Sequence, residues 1–254
     1  MLAKAGKRAL ASIMDNTLGA APVQRLLGAT FGNAHRGMLL PAIRYRARFM
    51  VLPGETAVLV GVFSPTTVRR FLDAVGAAGQ VVVVEANAAN IARIRGELGP
   101  RRNLACVNKA VWKEKGTITF LASNVASTQG YNRIKTDEIA EYPYHMERSV
   151  SEIEVECDRL DSILKGLALA RLDHVNLTCN GAEVAALESL LPLMGTHPQL
   201  RIYANTQAPE PFESYLAVLR AHGFRSHVAR VTHVHNTRIQ LKRVYAYRDR
   251  PIPG

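Results

Sequence analysis

The chain has 254 residues, of which 48% are hydrophobic and 21% charged, a balance typical of a globular protein with room for one large α/β domain and an appendage. Its three cysteines are far apart and form no CxxC pair, which argues against a disulfide framework and against a zinc ribbon. The sequence contains neither a membrane-length apolar run nor a signal-like N-terminal segment, so we expect a cytoplasmic protein.

The formal net charge of +11 favours an anionic partner. Residues 1–50 carry eight basic residues against the single acid Asp15, and their apolar residues partly follow helical spacing. We therefore expect a basic helical N-terminal extension. Two roles stay open for it: a helix packed on the main domain, or a peripheral contact with an anionic membrane. Nucleic acid is a less favoured partner because these basic residues lack interleaved aromatics.

From residue 52 onward, strand-like and helix-like segments alternate. The pattern predicts strands over residues 57–60, 81–84 and 104–107, and helices over residues 66–75 and 87–98. The run Val81–Val84 is apolar without alternation, as in a parallel strand that is covered on both faces.

The next segments do not continue the alternation of strands and helices. Residues 110–112 and 117–121, joined through Lys115 and Gly116, predict a small antiparallel hairpin. A polar loop follows; over residues 123–132 it carries hydroxyls and amides suited to a sugar or polar acceptor, or it is a plain connection. A charged, aromatic stretch covers residues 132–150. Further along the chain, the pattern predicts strands over residues 153–157, 174–177 and 200–204, and helices over residues 160–169, 182–193 and 212–222.

The C-terminal part, residues 226–247, reads as two strands joined by a turn. Together the elements predict an α/β Rossmann-like fold with a mostly parallel sheet, helices on both faces and an antiparallel C-terminal hairpin. We divide the chain into the extension at residues 1–50 and one domain at residues 51–254.

Two positions predict a nucleotide-type cofactor site. Gly61 follows the first strand, where a residue without a Cβ atom permits close backbone approach. Glu85 follows the second strand, where a carboxylate can accept hydrogen bonds from both ribose hydroxyls. Open α/β sheets bind their ligands at this edge.

Several segments, in order, resemble one known family. These segments are Leu52-Pro53-Gly54-Glu55, Val84-Glu85-Ala86-Asn87, Val107-Asn108-Lys109-Ala110, Leu160-Asp161-Ser162-Ile163-Leu164 and Asn180-Gly181-Ala182-Glu183. In this order and spacing they resemble the FkbM-type S-adenosylmethionine-dependent methyltransferases over about residues 52–247. The resemblance implies a class I methyltransferase domain with a seven-stranded sheet and S-adenosyl-L-methionine as cofactor.

The chain departs from the family pattern in two loops. Leu59, Phe63 and Pro65 stand where the family has an acid, an asparagine and a second glycine. In the segment of the fourth strand, neutral residues replace three charged ones, at Asn176, Thr178 and Asn180. Three alternatives follow: the cofactor is held by backbone and neutral donors, it is bound weakly, or the site is vestigial.

The resemblance carries over further site residues. Beside Gly61 and Glu85, it implies that the cofactor is bound by residues of the first loop and of the second and third strand ends: Val62, Phe63, Ser64, Ala86, Asn87, Asn108 and Ala110. Ser64 has an alternative role as the N-cap of the following helix.

The candidate catalytic residues follow the fourth large strand, where open α/β sheets place reactive groups. They are Thr178, Asn180 and Glu183, and the Glu183 carboxylate could accept a proton from a substrate hydroxyl. The pair His233 and His235 has spacing suited to a metal, but no acid or cysteine stands near it, so we predict no metal site.

The sequence therefore predicts methyl transfer from S-adenosylmethionine to a hydroxyl of a sugar or small metabolite, with the acceptor class taken from the resemblance. His145, with Tyr142 and Tyr144, is a candidate substrate lid. Two alternatives remain. One is a non-catalytic protein of this fold that binds a glycan, membrane or protein partner; the other is an RNA-binding or RNA-modifying protein. The oligomeric state is not predicted.

Overall fold

The computed structural model describes residues 51–123, 132–136, 150–206, 212–231 and 241–248. The predicted extension at residues 1–50, the proposed lid residues 142–145 and the pair at 233 and 235 lie outside these ranges. Within the described ranges, no helix is both long and apolar enough to cross a bilayer.

Eleven strands and five helices occupy the described ranges. In chain order they are β1 (Thr56–Val60), α1 (Pro65–Val75), β2 (Gln80–Val84), α2 (Ala88–Leu98), β3 (Leu104–Val107), β4 (Ala110–Val111), β5 (Gly116–Ser123), β6 (Arg133–Ile134), β7 (Val150–Asp158), α3 (Leu160–Gly166), β8 (His174–Leu177), α4 (Glu183–Met194), β9 (Arg201–Thr206), α5 (Phe212–Ala221), β10 (Arg225–Val231) and β11 (Leu241–Tyr247).

The main sheet has seven strands in the order β10-β11-β9-β8-β1-β2-β3. The five strands from β9 to β3 are parallel, and β11 pairs antiparallel with both β9 and β10. The prediction of a mostly parallel, Rossmann-like sheet of the class I methyltransferase type, closed by an antiparallel hairpin, is therefore confirmed.

Helices cover the sheet on both faces, as its continuous apolar strands require. On one face α1 and α2 pack on alternate residues of β1 and β2, with Phe71 and Ile94 fully buried among them. On the other face α3, α4 and α5 pack around Leu187, Leu190 and Leu219. The chain crosses to opposite faces after β1 and after β8, so the cleft between these neighbouring strand ends is a topological switch point.

A second sheet of four strands, in the order β4-β7-β5-β6, was not predicted. The predicted hairpin between β4 and β5 is wrong, because β7 inserts between them. Cys157 of β7 pairs with Ala110 of β4 in parallel and with Gly116 of β5 in the antiparallel sense. The long β5–β7 ladder offers far more backbone hydrogen bonds than two-residue β4 could provide.

The second sheet packs one face over the carboxyl edge of the main sheet. Its Phe120 and Ile134 join Ala86 and Ala182 of the main-sheet loops in one apolar cluster. On the opposite face, the exposed residues Glu152, Glu154 and Glu156 alternate along β7. The inner face thereby forms a wall above the strand ends where the candidate site lies.

Candidate cofactor site

A cleft of about 470 Å³ that is open to solvent lies at the carboxyl ends of β1, β2 and β8. The main sheet contributes Val60, Gly61, Val84, Glu85, Ala86, Thr178, Cys179, Asn180 and Ala182, and the segment from β3 through β6 contributes Lys109, Ala110, Val111, Phe120, Asn132 and Ile134.

Gly61 occupies a position that only glycine tolerates. Its φ is +75°, and a Cβ atom built on it would overlap the backbone carbonyl group of Thr178, whose carbon would lie 2.9 Å away. The Thr178 hydroxyl donates to the Val60 carbonyl at 2.9 Å. The close backbone approach that the sequence predicted here is therefore realised between the loops after β1 and β8.

Glu85 lies at the end of β2, only 4% exposed, and lines the cleft. Its Oε1 accepts hydrogen bonds from the backbone N–H of Asn87 at 2.9 Å and from the Asn90 amide at 3.2 Å. Burial raises the pKa of Glu85 to about 7, although these two hydrogen bonds and the nearby Arg93 lower it. The carboxylate is thus fixed in orientation and is more basic than an ordinary glutamate carboxylate. It lies at the position where the sequence predicted ribose binding.

Asn108 holds the loop that follows Glu85. Its Nδ2 donates to the carbonyls of Glu85 and Ala86 at 2.9 and 2.8 Å. The side chain therefore ties the end of β3 to the end of β2 and is not among the residues that line the cleft.

Two other predicted cofactor residues begin helices. The Ser64 hydroxyl accepts from the Thr67 N–H and caps α1, with Pro65 at the first helical position. The Asn87 side chain accepts from the Ala89 N–H at 2.9 Å and caps α2. Neither side chain lines the cleft.

The remaining two residues of the first loop are not among those that line the cleft. Val62 is buried in the cluster beneath α1. Phe63 is 37% exposed, and its backbone carbonyl accepts a hydrogen bond from Arg93 of α2. The loop is therefore fastened to the neighbouring helix through its backbone, and it leaves the Phe63 ring on the surface.

The three candidate catalytic residues surround the turn after β8. Asn180 has a φ of +49°, and its Nδ2 donates to the backbone carbonyl of Asn132 at 2.7 Å. The Glu183 carboxylate accepts from the N–H groups of Cys179 and Gly181 at 3.1 and 2.8 Å. Glu183 is buried and lies outside the cleft lining, while Thr178 and Asn180 line it.

Burial raises the pKa of Glu183 to about 7, against four backbone hydrogen bonds that lower it. Its carboxylate stabilises the turn and the start of α4. The role of Glu183 as a proton acceptor stays a prediction. Burial also raises the pKa of the Cys179 thiol well above its ordinary value, so this thiol lines the cleft in its neutral form.

Of the predicted residues, the structure brings six together in the cleft, namely Gly61, Glu85, Ala86, Ala110, Thr178 and Asn180. Sequence reasoning missed Lys109, Phe120 and Ile134, and it named Asn132 only as the end of a polar loop suited to a sugar or polar acceptor. Lys109 is adjacent to a predicted residue and could have been found by its position. The other three reach the cleft only through the pairing of the second sheet, and no local pattern signals this pairing.

Within the described ranges, no three histidine, cysteine or acidic side chains are grouped in the way that a metal ion requires. His227 lies exposed on β10. The absence of a metal site in the whole chain remains a prediction.

No protein-family model matches the sequence, and neither does any curated protein. Among solved structures, the chain is similar to precorrin-6y C5,15-methyltransferase from Geobacter metallireducens, with 13% identity, a TM-score of 0.44 and coverage of 82% of this chain and 88% of that one. Fibrillarin from Aeropyrum pernix, which was solved with natively bound S-adenosyl-L-methionine, has 15% identity, a TM-score of 0.45 and coverage of 82% and 73%.

A SAM-dependent O-methyltransferase from Thermotoga maritima is also similar, with 10% identity, a TM-score of 0.43 and coverage of 83% of this chain and 66% of that one. Similarity at this level assigns neither an activity nor the FkbM family. The strand order and the closing hairpin therefore remain the basis for the fold class, which is that of class I methyltransferases.

Proposed function

We propose that the protein is an S-adenosylmethionine-dependent methyltransferase that acts on a hydroxyl oxygen of a sugar or small metabolite. The observation that carries the proposal is the buried Glu85 carboxylate, which lines the cleft at the end of β2 beside the tight Gly61 turn. A carboxylate at this position of an open α/β sheet suits the two hydroxyls of a ribose.

The residues of the cleft fit this cofactor in two respects. Glu85 offers the ribose an oriented acceptor group, and the Asn87 and Asn90 donors keep it in place. Ala86, Ala110 and Val111 offer an apolar surface beside it for a planar base. When bound, S-adenosylmethionine supplies an electrophilic methyl group.

The chain itself contributes binding, orientation and exclusion of water. Phe120 and Ile134 of the second sheet cover the cleft from above, where they lower the polarity around a bound ligand. Methyl transfer depends largely on the alignment of the acceptor oxygen. A positioned base adds to the rate by accepting the hydroxyl proton, and Glu183 stays the candidate from the sequence.

Calorimetric titration with S-adenosylmethionine and S-adenosylhomocysteine tests the proposal. We expect micromolar dissociation constants for the wild type and at least about tenfold weaker binding for Glu85→Ala, because charge-assisted hydrogen bonds are lost. Glu97→Ala is the matched control, since Glu97 is exposed on α2, and it should bind like the wild type. Absence of binding by folded wild-type protein would overturn the proposal.

The acceptor class needs a separate experiment. With methyl-labelled S-adenosylmethionine, label should appear in neutral sugars or small hydroxyl compounds and not in added RNA. Recovery of the label in RNA would instead support the RNA-modifying alternative.

A non-catalytic protein of this fold is the second candidate. The observation in its favour is that the Glu183 carboxylate is engaged by the turn after β8, while the neutral Thr178 and Asn180 face the cleft. Cofactor binding without methyl transfer to any acceptor would favour this candidate.

A further inference from the structure

Asn132 lies directly before β6 and lines the cleft with only 8% of its surface exposed. Two hydrogen bonds hold it in place. Its Oδ1 accepts from the backbone N–H of Ser123 at 2.8 Å, and its backbone carbonyl accepts from the Asn180 amide at 2.7 Å. Asn132 therefore connects the second sheet to the turn that follows β8.

The first of these bonds determines which way the Asn132 amide is turned. A backbone N–H can only donate, so the side-chain atom that faces Ser123 must be the oxygen. The remaining atom is the NH₂ group. This Nδ2 is buried and has no hydrogen-bond partner within the described parts of the chain.

A buried donor without an acceptor costs about 1–3 kcal/mol. Native proteins keep few such groups, and each of them calls for an explanation. The unpartnered NH₂ of Asn132 therefore points to a ligand oxygen at this end of the cleft.

The position of Asn132 indicates which part of the ligand it meets. Glu85 follows β2 and Asn180 follows β8, and these two strands flank β1. Strand ends separated by one intervening strand are about 10 Å apart. If Glu85 binds the ribose, then the turn beside Asn132 lies toward the amino-acid end of the same cofactor.

We propose that the Asn132 amide donates a hydrogen bond to the carboxylate of the cofactor's amino-acid moiety and is a specificity-determining residue of the cofactor site. The inference rests on the proposed function.

Asn132→Asp tests the proposal sharply because it retains the oxygen that accepts from Ser123 and replaces only the donor. The probes are S-adenosylhomocysteine and 5′-deoxy-5′-methylthioadenosine, which lacks the amino-acid group. By calorimetry at pH 8, we expect the variant to bind S-adenosylhomocysteine about 10–100-fold more weakly than the wild type. Its affinity for methylthioadenosine should stay within about twofold.

Asn103→Asp is the matched control, since the Asn103 amide donates to the Gly76 carbonyl away from the cleft; it should leave the affinity for both probes unchanged. Asn132→Ser, which also removes the amide donor, provides a second variant if the first does not fold. Measuring the affinity at lower pH adds a test that a purely structural role of Asn132 would not meet. Protonation of the introduced carboxyl group restores a donor, so the affinity ratio between Asn132→Asp and wild type should approach one as the pH falls to 5.

If a folded variant binds both probes equally more weakly, or neither more weakly, the role of Asn132 is overturned. The proposed function stays intact in that case as long as the wild type binds S-adenosylhomocysteine. If the folded wild-type protein does not bind S-adenosylhomocysteine, both the role of Asn132 and the proposed function are overturned.

Discussion

Gly61 and Thr178 meet through their backbones, although 117 positions separate them in the chain. The loops after β1 and β8 touch because the two strands are parallel neighbours, and the Thr178 hydroxyl donates to the carbonyl of Val60 and, at 3.3 Å, to that of Gly61. The bottom of the candidate site is thus built by a backbone contact for which a side chain at position 61 leaves no space.

Gly61→Ala should destabilise the fold by roughly 2–5 kcal/mol. The added Cβ atom would be strained at a φ of +75° and would overlap the Thr178 carbonyl. Urea unfolding measures the loss. Gly96→Ala is the control with the opposite sign, because Gly96 is helical and nothing lies within 4 Å of its Cβ position; it should gain up to about 1 kcal/mol. Equal stability of Gly61→Ala and wild type would contradict the contact.

Arg201→Met should lower stability by about 3–5 kcal/mol. Arg201 is 1% exposed at the start of β9 and pairs with the buried Glu55 carboxylate just before β1. Removal of the cation leaves a buried anion without this partner, and Glu55→Leu in the same chain should restore part of the loss. Lys135→Ala breaks the exposed pair with Glu152 and should cost less than about 1 kcal/mol. Similar urea unfolding midpoints for Arg201→Met and Lys135→Ala would refute the expected difference between the buried and the exposed pair.

The ligand-free protein should gain stability from Glu85 and Glu183 as the pH falls from 7.5 to 5. Burial raises the pKa of both carboxyls from 4.5 to about 7. Between these values the folded state binds more protons than the unfolded state, so the contribution is complete below 4.5 and is lost as the pH rises through 7. In urea unfolding at several pH values, Glu85→Gln and Glu183→Gln should each lose part of this gain. If the free energy of unfolding changes with pH in the same way for wild type and both variants, the two carboxyl groups are not the source of the gain.

His174→Leu should stabilise the protein, by about 1 kcal/mol at pH 7. The ring is fully buried against Phe71, and neither ring nitrogen has a partner among the described residues. Burial and, secondarily, Arg201 lower the pKa of His174 to about 3. The unfolded chain protonates its histidine below about 6.5, so wild type loses stability as the pH falls from 6.5 toward 3. The gain in the variant should therefore grow on acidification, and thermal unfolding at pH 7, 6 and 5 checks this.

The sequence by itself determined the main sheet and one end of the candidate cleft. Unbroken apolar runs mark strands that are covered on both faces, and the predicted bounds of residues 104–107 and 174–177 match β3 and β8. Gly61 and Glu85 were found because parallel strands place the residues that follow them at a common edge. These features depend on local spacing and on the topology that this spacing implies.

Only the tertiary structure decided what covers that edge. Local alternation shows that a segment is a strand but not which strand it pairs with, so the insertion of β7 between β4 and β5 was not visible. This pairing joins residues 27 to 41 positions apart and places Phe120 at the cleft. The pairing of β6 with β5 adds Ile134 and brings in Asn132, whose NH₂ group has no partner in the described parts of the chain. The same limit applies to Glu183, because the hydrogen bonds that engage its carboxylate depend on a turn whose shape the sequence does not specify.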